Sequence, residues 1–323
     1  MEPKTKFTLR EKRVWVAGHR GMVGSALVRR LASEGCEILT IERRDLDLID
    51  QEATRRWVQD QRPDAIFLAA ARVGGIVANL SFPAEFLYNN LMIGANVIEA
   101  AYRAGTPKLL YLGSSCIYPR SAPQPIDEAS LLTGPLEPTN EWYAIAKISG
   151  LKLCQAYRSQ FGCDFVSAMP TNLYGPGDNF DLNSSHVVPA LIRKTHEAKV
   201  ANSEHLEVWG TGKPRRELLH VDDCADALVH VMSTYSNSQQ INIGSGQDIP
   251  IAELAQRIVN IVGFNGALKF DASKPDGTPR KLMNTEKIRA LGWKPKISLN
   301  AGLASAYGWF LQASGSQEGH PQL

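Results

Sequence analysis

Residues 13–31 read RVWVAGHRGMVGSALVRRL, and the fold follows from how this stretch is parsed. RVWVA is a β-branched, apolar run of strand character, and MVGSALVRRL has helical periodicity. Between them Gly18, Gly21 and Gly24 form G-x-x-G-x-x-G. The first glycine permits a tight turn. The others let a diphosphate and the neighbouring backbone approach the helix N-terminus, whose free N–H groups and dipole favour anions. A glycine triplet alone is weak evidence, but a strand before it and a helix after it are the context a dinucleotide site requires. An acid at the end of the second strand holds adenosine ribose hydroxyls, whereas an arginine there accommodates a 2′-phosphate. This chain has Glu42 beside Arg43 and Arg44, with Arg20 inside the glycine loop. Three arginines near one site favour NADP over NAD, and an ion pair between Glu42 and one of them on a solvated surface is the alternative.

Working outward, strand and helix signals alternate. EILTI (37–41), AIFLAAA (65–71), LLYL (109–112) and FVSAM (165–169) read as strands. DQEATRRWVQDQ (50–61), a long segment after Pro83, and about Glu141 to Phe161 read as helices. Such alternation predicts an α/β fold, a doubly wound parallel Rossmann sheet. The second half changes texture. PTNLYGPGDNFDLNSS (170–185) has the composition of a long loop, and HVVPALIRKTHEAK is expected to be helical after its proline. LEVWG, RRELLHVDDCADALVHVM and QQINIGSG return to strands and helix. The expected organisation is a Rossmann domain of 1–175 plus about 217–245. A smaller, discontinuous α/β substrate-binding lobe takes about 176–216 and 246–315, and 316–323 is a polar tail.

Bulk properties narrow the function. The 323 residues are 44% hydrophobic and 21% charged, with a formal net charge of +2. That balance gives no electrostatic case for nucleic acid or an acidic membrane. No apolar run approaches the roughly 18 residues of a membrane span, and the polar start MEPKTKFTLREKR lacks the core of a signal peptide. Five cysteines without CxxC spacing read as reduced thiols of a cytoplasmic protein. No residue is assigned to a metal.

Two further stretches carry chemistry. NEWYAIAKISG places Tyr143 and Lys147 four apart, on one face of a helix. A phenol near its reference pKa of about 10 is a poor acid–base group at neutrality, and a nearby ammonium favours its phenolate. With Ser114 donating to a substrate carbonyl, the three form a proton relay for hydride transfer. The spacing alone also fits a surface Tyr–Lys pair. Ser114 lies in YLGSSCIYP (111–119), which opens from a strand end and holds Cys116 two residues on.

The glycine loop, Ser114 and the Tyr143–Lys147 pair resemble the extended short-chain dehydrogenase/reductase family, most of whose members act on nucleotide sugars. The strings GHRGMVGSA, LAAARVGGI, LGSSCIYP, LEPTNEWYAIAKISG, PTNLYGPGDNF, HVVPALI, VWGTGKPRRELLHVDD and PDGTPRK are similar to one branch of it. That branch epimerises GDP-4-keto-6-deoxy-D-mannose at carbons 3 and 5 and reduces it at carbon 4. The resemblance spans about residues 13–312. It implies NADP(H) as cofactor, held by Gly18, His19, Arg20, Gly21, Met22, Val23, Gly24, Arg43, Arg44, Ala69, Ala70, Tyr143, Lys147, Pro170, Asn172, Leu173 and His186. Ser114, Cys116, Tyr143, Lys147 and His186 would be catalytic. Cys116 is implied as the base that removes the proton beside the ketone, and His186 as the acid that returns one to the opposite face.

The GDP-sugar is expected to touch Ser114, Ser115, Cys116, Asn172, Lys194, Trp209, Arg216, Asp276 and Lys281. Lys194 follows Arg193 where relatives carry two arginines, so a point charge replaces a bidentate fork. A homodimer through two helices of the dinucleotide-binding part is also implied. Three alternatives are less well served. A 4,6-dehydratase wants an Asp–Glu pair where Ser115 and Cys116 stand, and a UDP-hexose 4-epimerase needs no thiol. An NADP-binding redox sensor has no use for the full set of five.

Overall fold

The computed structural model describes residues 6–182, 184–274 and 276–315; the tail expected at 316–323 lies outside them. Among the described residues a six-stranded, wholly parallel sheet has the order β2-β1-β3-β4-β5-β9. Its strands are β1 (Arg13–Ala17), β2 (Glu37–Leu39), β3 (Ala65–Leu68), β4 (Lys108–Leu112), β5 (Asp164–Pro170) and, after three strands outside this sheet, β9 (Ile241–Ile243). Strand side chains alternate between two cores. Val14, Val16, Ala65, Phe67, Leu110 and Leu112 face one side, and Trp15, Ala17, Ile66, Leu68, Leu109 and Tyr111 the other. That period of two is why uninterrupted apolar runs form these strands: both faces are covered. Helices α1 (Met22–Leu31) and α7 (Val221–Thr234) pack together over the first face. On the second, α4 (Pro83–Arg103) packs against α2 (Gln51–Gln61) and α5 (Glu141–Phe161).

Strand order reverses between β1 and β3, so the crevice for a ligand opens at their carboxyl ends. The segment leaving β3 is fixed there by a buried amide of α4. Asn90 accepts from the Arg72 N–H at 2.9 Å and donates to the Arg72 carbonyl at 3.0 Å. A six-residue helix, α3 (Ile76–Ser81), follows.

The remaining elements build a second, smaller core. β6 (Asn172–Tyr174), β7 (His205–Trp209), β8 (Arg215–His220), β10 (Asp248–Pro250), β11 (Ala267–Asp271) and β12 (Arg280–Lys281) form short sheets. In them β8 pairs with β6, β10 and β12, and β7 with β11. Helices α6 (Val187–Val200), α8 (Ile251–Val262) and α10 (Leu299–Gly315) close over a cluster that includes Tyr174, Leu191, Val208, Leu254, Ile258 and Leu303. Helix α9 (Glu286–Ala290) sends Ile288 back into the first core. No helix among the described residues is long and apolar enough to cross a membrane.

Four expectations are corrected. β2 stops at Leu39 rather than residue 41, and β3 at Leu68 rather than 71. Past Leu68 one more bond to β1 remains, the Ala69 N–H donating to the Ala17 carbonyl at 3.0 Å, before the chain turns away. Helix α6 begins at Val187, before Pro189. Proline fits because N–H groups of a first turn have no intrahelical acceptor. The expected loop at 170–185 holds β6, paired with β8 through Asn172 and Leu218.

Candidate active site

At the carboxyl end of β1, Gly18 takes φ +88°, and a Cβ there would lie 2.7 Å from the backbone of Ala70. A Cβ on Gly24 would meet the Gly18 carbonyl oxygen at 2.0 Å. These two glycines are therefore required by packing. Gly21 differs: it is exposed, and its Cβ would find only that same carbonyl, at 3.5 Å. Gly21 caps α1 without any side-chain acceptor, so no capping side chain takes up the N–H groups of the first turn. An anionic diphosphate fits such a cradle. Met22 and Val23 anchor this turn in the core, and Ala69 and Ala70 line it from β3. At its outer edge Glu42 bridges two arginines, Arg20 at 3.1 Å and Arg44 at 3.0 Å, while Arg43 lies 3.4 Å from Asp47. The ion-pair alternative for Glu42 thus holds twice over, and both guanidiniums are held at this corner.

The chemical groups gather at the carboxyl end of β4. Ser114 caps the 3-10 turn Ser115–Ile117, its Oγ accepting from the Cys116 N–H at 3.2 Å. From α5, the Tyr143 phenol neighbours the Ser114 hydroxyl. Burial, and next the neighbouring Cys116, push the Tyr143 phenol above its ordinary range, which the Ser114 hydroxyl offsets only in part. This corrects the expectation that Lys147 draws the phenol toward neutrality. The Lys147 ammonium, buried one turn along, donates instead to the Leu112 carbonyl at 2.8 Å and lies 5.8 Å from the Tyr143 ring centre. Burial lowers Lys147 from 10.5 to about 7. The pair is thus a protonated phenol beside an amine that titrates near neutrality.

Cys116 is half-buried, and its Sγ has two donors. Asn140 Nδ2 lies at 3.2 Å and Lys281 Nζ at 3.6 Å. Lys281 arrives on β12, which β8 holds in parallel register through Arg216. The same ammonium acts on His186, the N-cap residue of α6. His186 is exposed at its surface, and desolvation by the atoms around it, with Lys281 second, holds its pKa below the usual imidazole range. Ahead of His186, burial pushes the Asp178 carboxyl up to about 7, and its Oδ2 has no hydrogen-bond partner among the described residues.

Beyond Lys281 the groove becomes cationic. Arg216 is aimed by carbonyl acceptors, Thr278 at 2.6 Å and Arg215 at 2.9 Å, and burial lowers its pKa. Lys194 lies 4.7 Å and Lys274 5.5 Å from the ring centre of Trp209, which is 50% exposed. An exposed indole between two cations offers a face to a base or ribose and charge to a phosphate. Asp276 is already engaged by Thr211, through its N–H at 2.7 Å and its hydroxyl at 2.8 Å. Asn172 donates to the Glu217 carbonyl at 2.9 Å, tying β6 to β8. Ser115 is buried, and Pro170 ends β5 beside Asn172 and Leu173. Sequence reasoning missed Asn140 and Lys274. Asn140 stands three residues before Tyr143, but nothing local marks an amide that will cap a thiol 24 positions away.

Comparison with known proteins agrees with this geometry. Residues 14–244 match the model of the NAD dependent epimerase/dehydratase family. A GDP-L-fucose synthase of Sinorhizobium fredii (strain NBRC 101917 / NGR234) is 59% identical over 305 residues, 94% of this chain and 97% of that one. The GDP-L-fucose synthase of Escherichia coli (strain K12) is 54% identical over 312 residues, 94% and 97% of the two chains. Among solved structures, a GDP-L-fucose synthetase from Naegleria fowleri bound to NADP superposes with a TM-score of 0.90 at 29% identity, covering 97% of each chain. With more than half its length matched and these relatives spanning nearly all of it, the chain belongs to the NAD dependent epimerase/dehydratase family.

Proposed function

We propose that this protein converts GDP-4-keto-6-deoxy-D-mannose to GDP-L-fucose, by epimerisation at carbons 3 and 5 and then NADPH-dependent reduction at carbon 4. The observation that carries the reading is that Ser114 and Cys116 share one 3-10 turn, with the Ser114 Oγ bonded to the Cys116 N–H. A ketone held by Ser114 and Tyr143 has its adjacent carbons beside the thiol.

The steps follow from the contacts. Hydrogen bonds from Ser114 and Tyr143 polarise the ketone and favour the enolate over the carbanion. Cys116, with the Lys281 cation and the Asn140 amide at its sulfur, takes the proton from carbon 3 or 5 as thiolate. His186 returns a proton to the other face, inverting the centre; the thiol then gives its proton to solvent and His186 takes one back from solvent. When bound, NADPH supplies the hydride for carbon 4. Tyr143 then gives its proton to the resulting oxygen, a donor role its raised pKa suits, and Lys147 restores that proton. Gly18, Gly21 and Gly24 would hold the diphosphate, with Arg20, Arg43 and Arg44 at the adenosine phosphate. Arg216, Lys194, Trp209 and Lys281 would hold the GDP end of the substrate.

We place the boundaries of the dinucleotide-binding domain at 1–175 plus about 217–245, with the substrate lobe at 176–216 and 246–315. Two copies pairing through α4 and α5 belong to the same proposal, supported by exposed Tyr88, Leu91, Trp142 and Phe161 on those helices. So does a cytoplasmic site of action.

The test is nicotinamide absorbance with GDP-4-keto-6-deoxy-D-mannose, and NMR of the product. Wild type should consume NADPH and yield GDP-L-fucose. Cys116→Ser should lose inversion by on the order of 10²–10⁴-fold, the usual worth of a general base, and release product with unchanged carbons 3 and 5. NADPH that binds but is never oxidised would refute the reading in favour of a cofactor sensor.

A further inference from the structure

Helix α3 is poorly explained by stability. It is six residues long, its one buried side chain is Asn79, and Ile76, Val77 and Leu80 are 44%, 50% and 59% exposed. Helices this short are not stable on their own, and this one buries almost no apolar surface in exchange. Its position is more telling. The Gly75 N–H donates to the Ser184 carbonyl at 2.8 Å. A Cβ on Gly75 would lie 2.6 Å from the Ser185 carbonyl oxygen and 3.3 Å from that of Ser184. Gly75 has φ −67°, open to any residue, so space and not backbone conformation demands the glycine. The next residue along that loop is His186.

Both sides of the contact are held in place. Asn79 Nδ2 donates to the carbonyls of Gly74 at 2.8 Å and Gly75 at 3.0 Å. Across from it, Asn179 Nδ2 donates to Ser184 Oγ at 2.8 Å, Ser184 Oγ donates to Asp181 at 3.0 Å, and the Ser185 N–H reaches the Asp181 carbonyl at 2.8 Å. The other flank of α3 packs on the 3-10 turn Pro138–Asn140, whose Asn140 donates to the Cys116 sulfur. One short helix therefore touches both the partner of the thiol and the loop of the imidazole.

We infer that α3 is a brace between base and acid, and that Gly75 is a positioning residue seating the Ser184–Ser185 carbonyls so that His186 faces the substrate opposite Cys116. The inference rests on the proposed epimerase chemistry. Pushing the Ser185 oxygen from 2.6 Å out to ordinary contact at 3.4 Å moves the start of α6 by about 0.8 Å. A misplacement near 1 Å costs on the order of a hundredfold in a proton transfer that needs aligned partners. With the acid displaced, the thiolate still takes the proton from carbon 3 or 5, and the thiol exchanges with solvent. The enolate then recovers a deuteron from the same face, so label enters without inversion.

The experiment compares wild type, Gly75→Ala and Gly74→Ala in heavy water with GDP-4-keto-6-deoxy-D-mannose and NADPH. It reads deuterium in recovered substrate against inverted product. A Cβ on Gly74 would meet Ala78 of α3 at 2.9 Å and Phe86 at 3.2 Å before any atom of the Ser184–Ser185 loop, so Gly74→Ala presses on the helix without pushing the His186 loop and isolates the Gly75 contact. Gly75→Ala should raise the exchange-to-inversion ratio by on the order of tenfold or more, with near-UV circular dichroism and NADPH affinity retained and Gly74→Ala at the wild-type ratio. If Gly75→Ala does not fold, Asn79→Ala, which frees both glycine carbonyls without adding an atom, is read the same way. Exchange and inversion falling together, both staying at wild-type values, or an equal rise in Gly74→Ala overturns Gly75 as the residue that seats His186. A wild type that neither exchanges nor inverts overturns the proposed function instead.

Discussion

Replacing Lys147 with methionine should make the cofactor-free protein more stable and the enzyme inactive. Lys147 is 3% exposed, and burial brings it from 10.5 down to about 7. Because the folded-state pKa is the lower one, the unfolded chain holds the extra proton between about pH 7 and 10.5, and stability rises with pH across that window. At about 1.4 kcal/mol per pKa unit, the burden at pH 6 is roughly 5 kcal/mol, and about half of it lifts by pH 9. Methionine keeps the shape and removes the charge, but it orphans the Leu112 carbonyl, which costs about 1–3 kcal/mol. The net expectation is a variant about 3 kcal/mol more stable at pH 6, with nearly all of that advantage gone by pH 9. Urea unfolding of both proteins at the two pH values measures it, and the difference cancels other titrating groups. A variant less stable than wild type at pH 6, or a gap that does not narrow with pH, would refute the reasoning.

Gly24→Ala should abolish NADPH binding and destabilise the fold, because its Cβ would lie 2.0 Å from the Gly18 oxygen, whereas Gly21→Ala should fold normally and weaken NADPH alone; paired melting and fluorescence titration separate the two. Arg43→Ala with Arg44→Ala should raise KM for NADPH by on the order of tenfold or more, the worth of a charge-assisted bond, and leave KM for NADH nearly unchanged. For Asp178, raised from 3.8 to about 7, the folded state holds the extra proton between those values, so this group's contribution is full below pH 3.8 and is lost as pH rises through 7. Asp178→Asn should therefore flatten the loss of stability between pH 5 and 8, which thermal unfolding at the two values would reveal.

What could be read along the chain was whatever depends on near neighbours. The β1–glycine–α1 unit was legible because period and composition change within 19 residues. Helix α5 was legible at about its observed bounds, and Gly162 at φ +73° is the cap that ends it. Contacts closed by the fold were not. Gly75 looks like any loop glycine until the chain brings Ser184 to it, and Asn140 has no local reason to face a thiol. Lys147 was placed on the correct face of the correct helix. Yet its hydrogen bond goes to the end of β4 rather than to Tyr143, an outcome set by how α5 packs on the sheet.

The central claim is that one cleft both inverts two centres and reduces a ketone, and product labelling tests it most directly. Turnover of GDP-4-keto-6-deoxy-D-mannose with NADPH in heavy water should give GDP-L-fucose carrying solvent deuterium at carbons 3 and 5 and protium from the cofactor at carbon 4. NADPH consumed with no deuterium at either of the first two carbons would make the protein a plain keto-sugar reductase and contradict the role of Cys116.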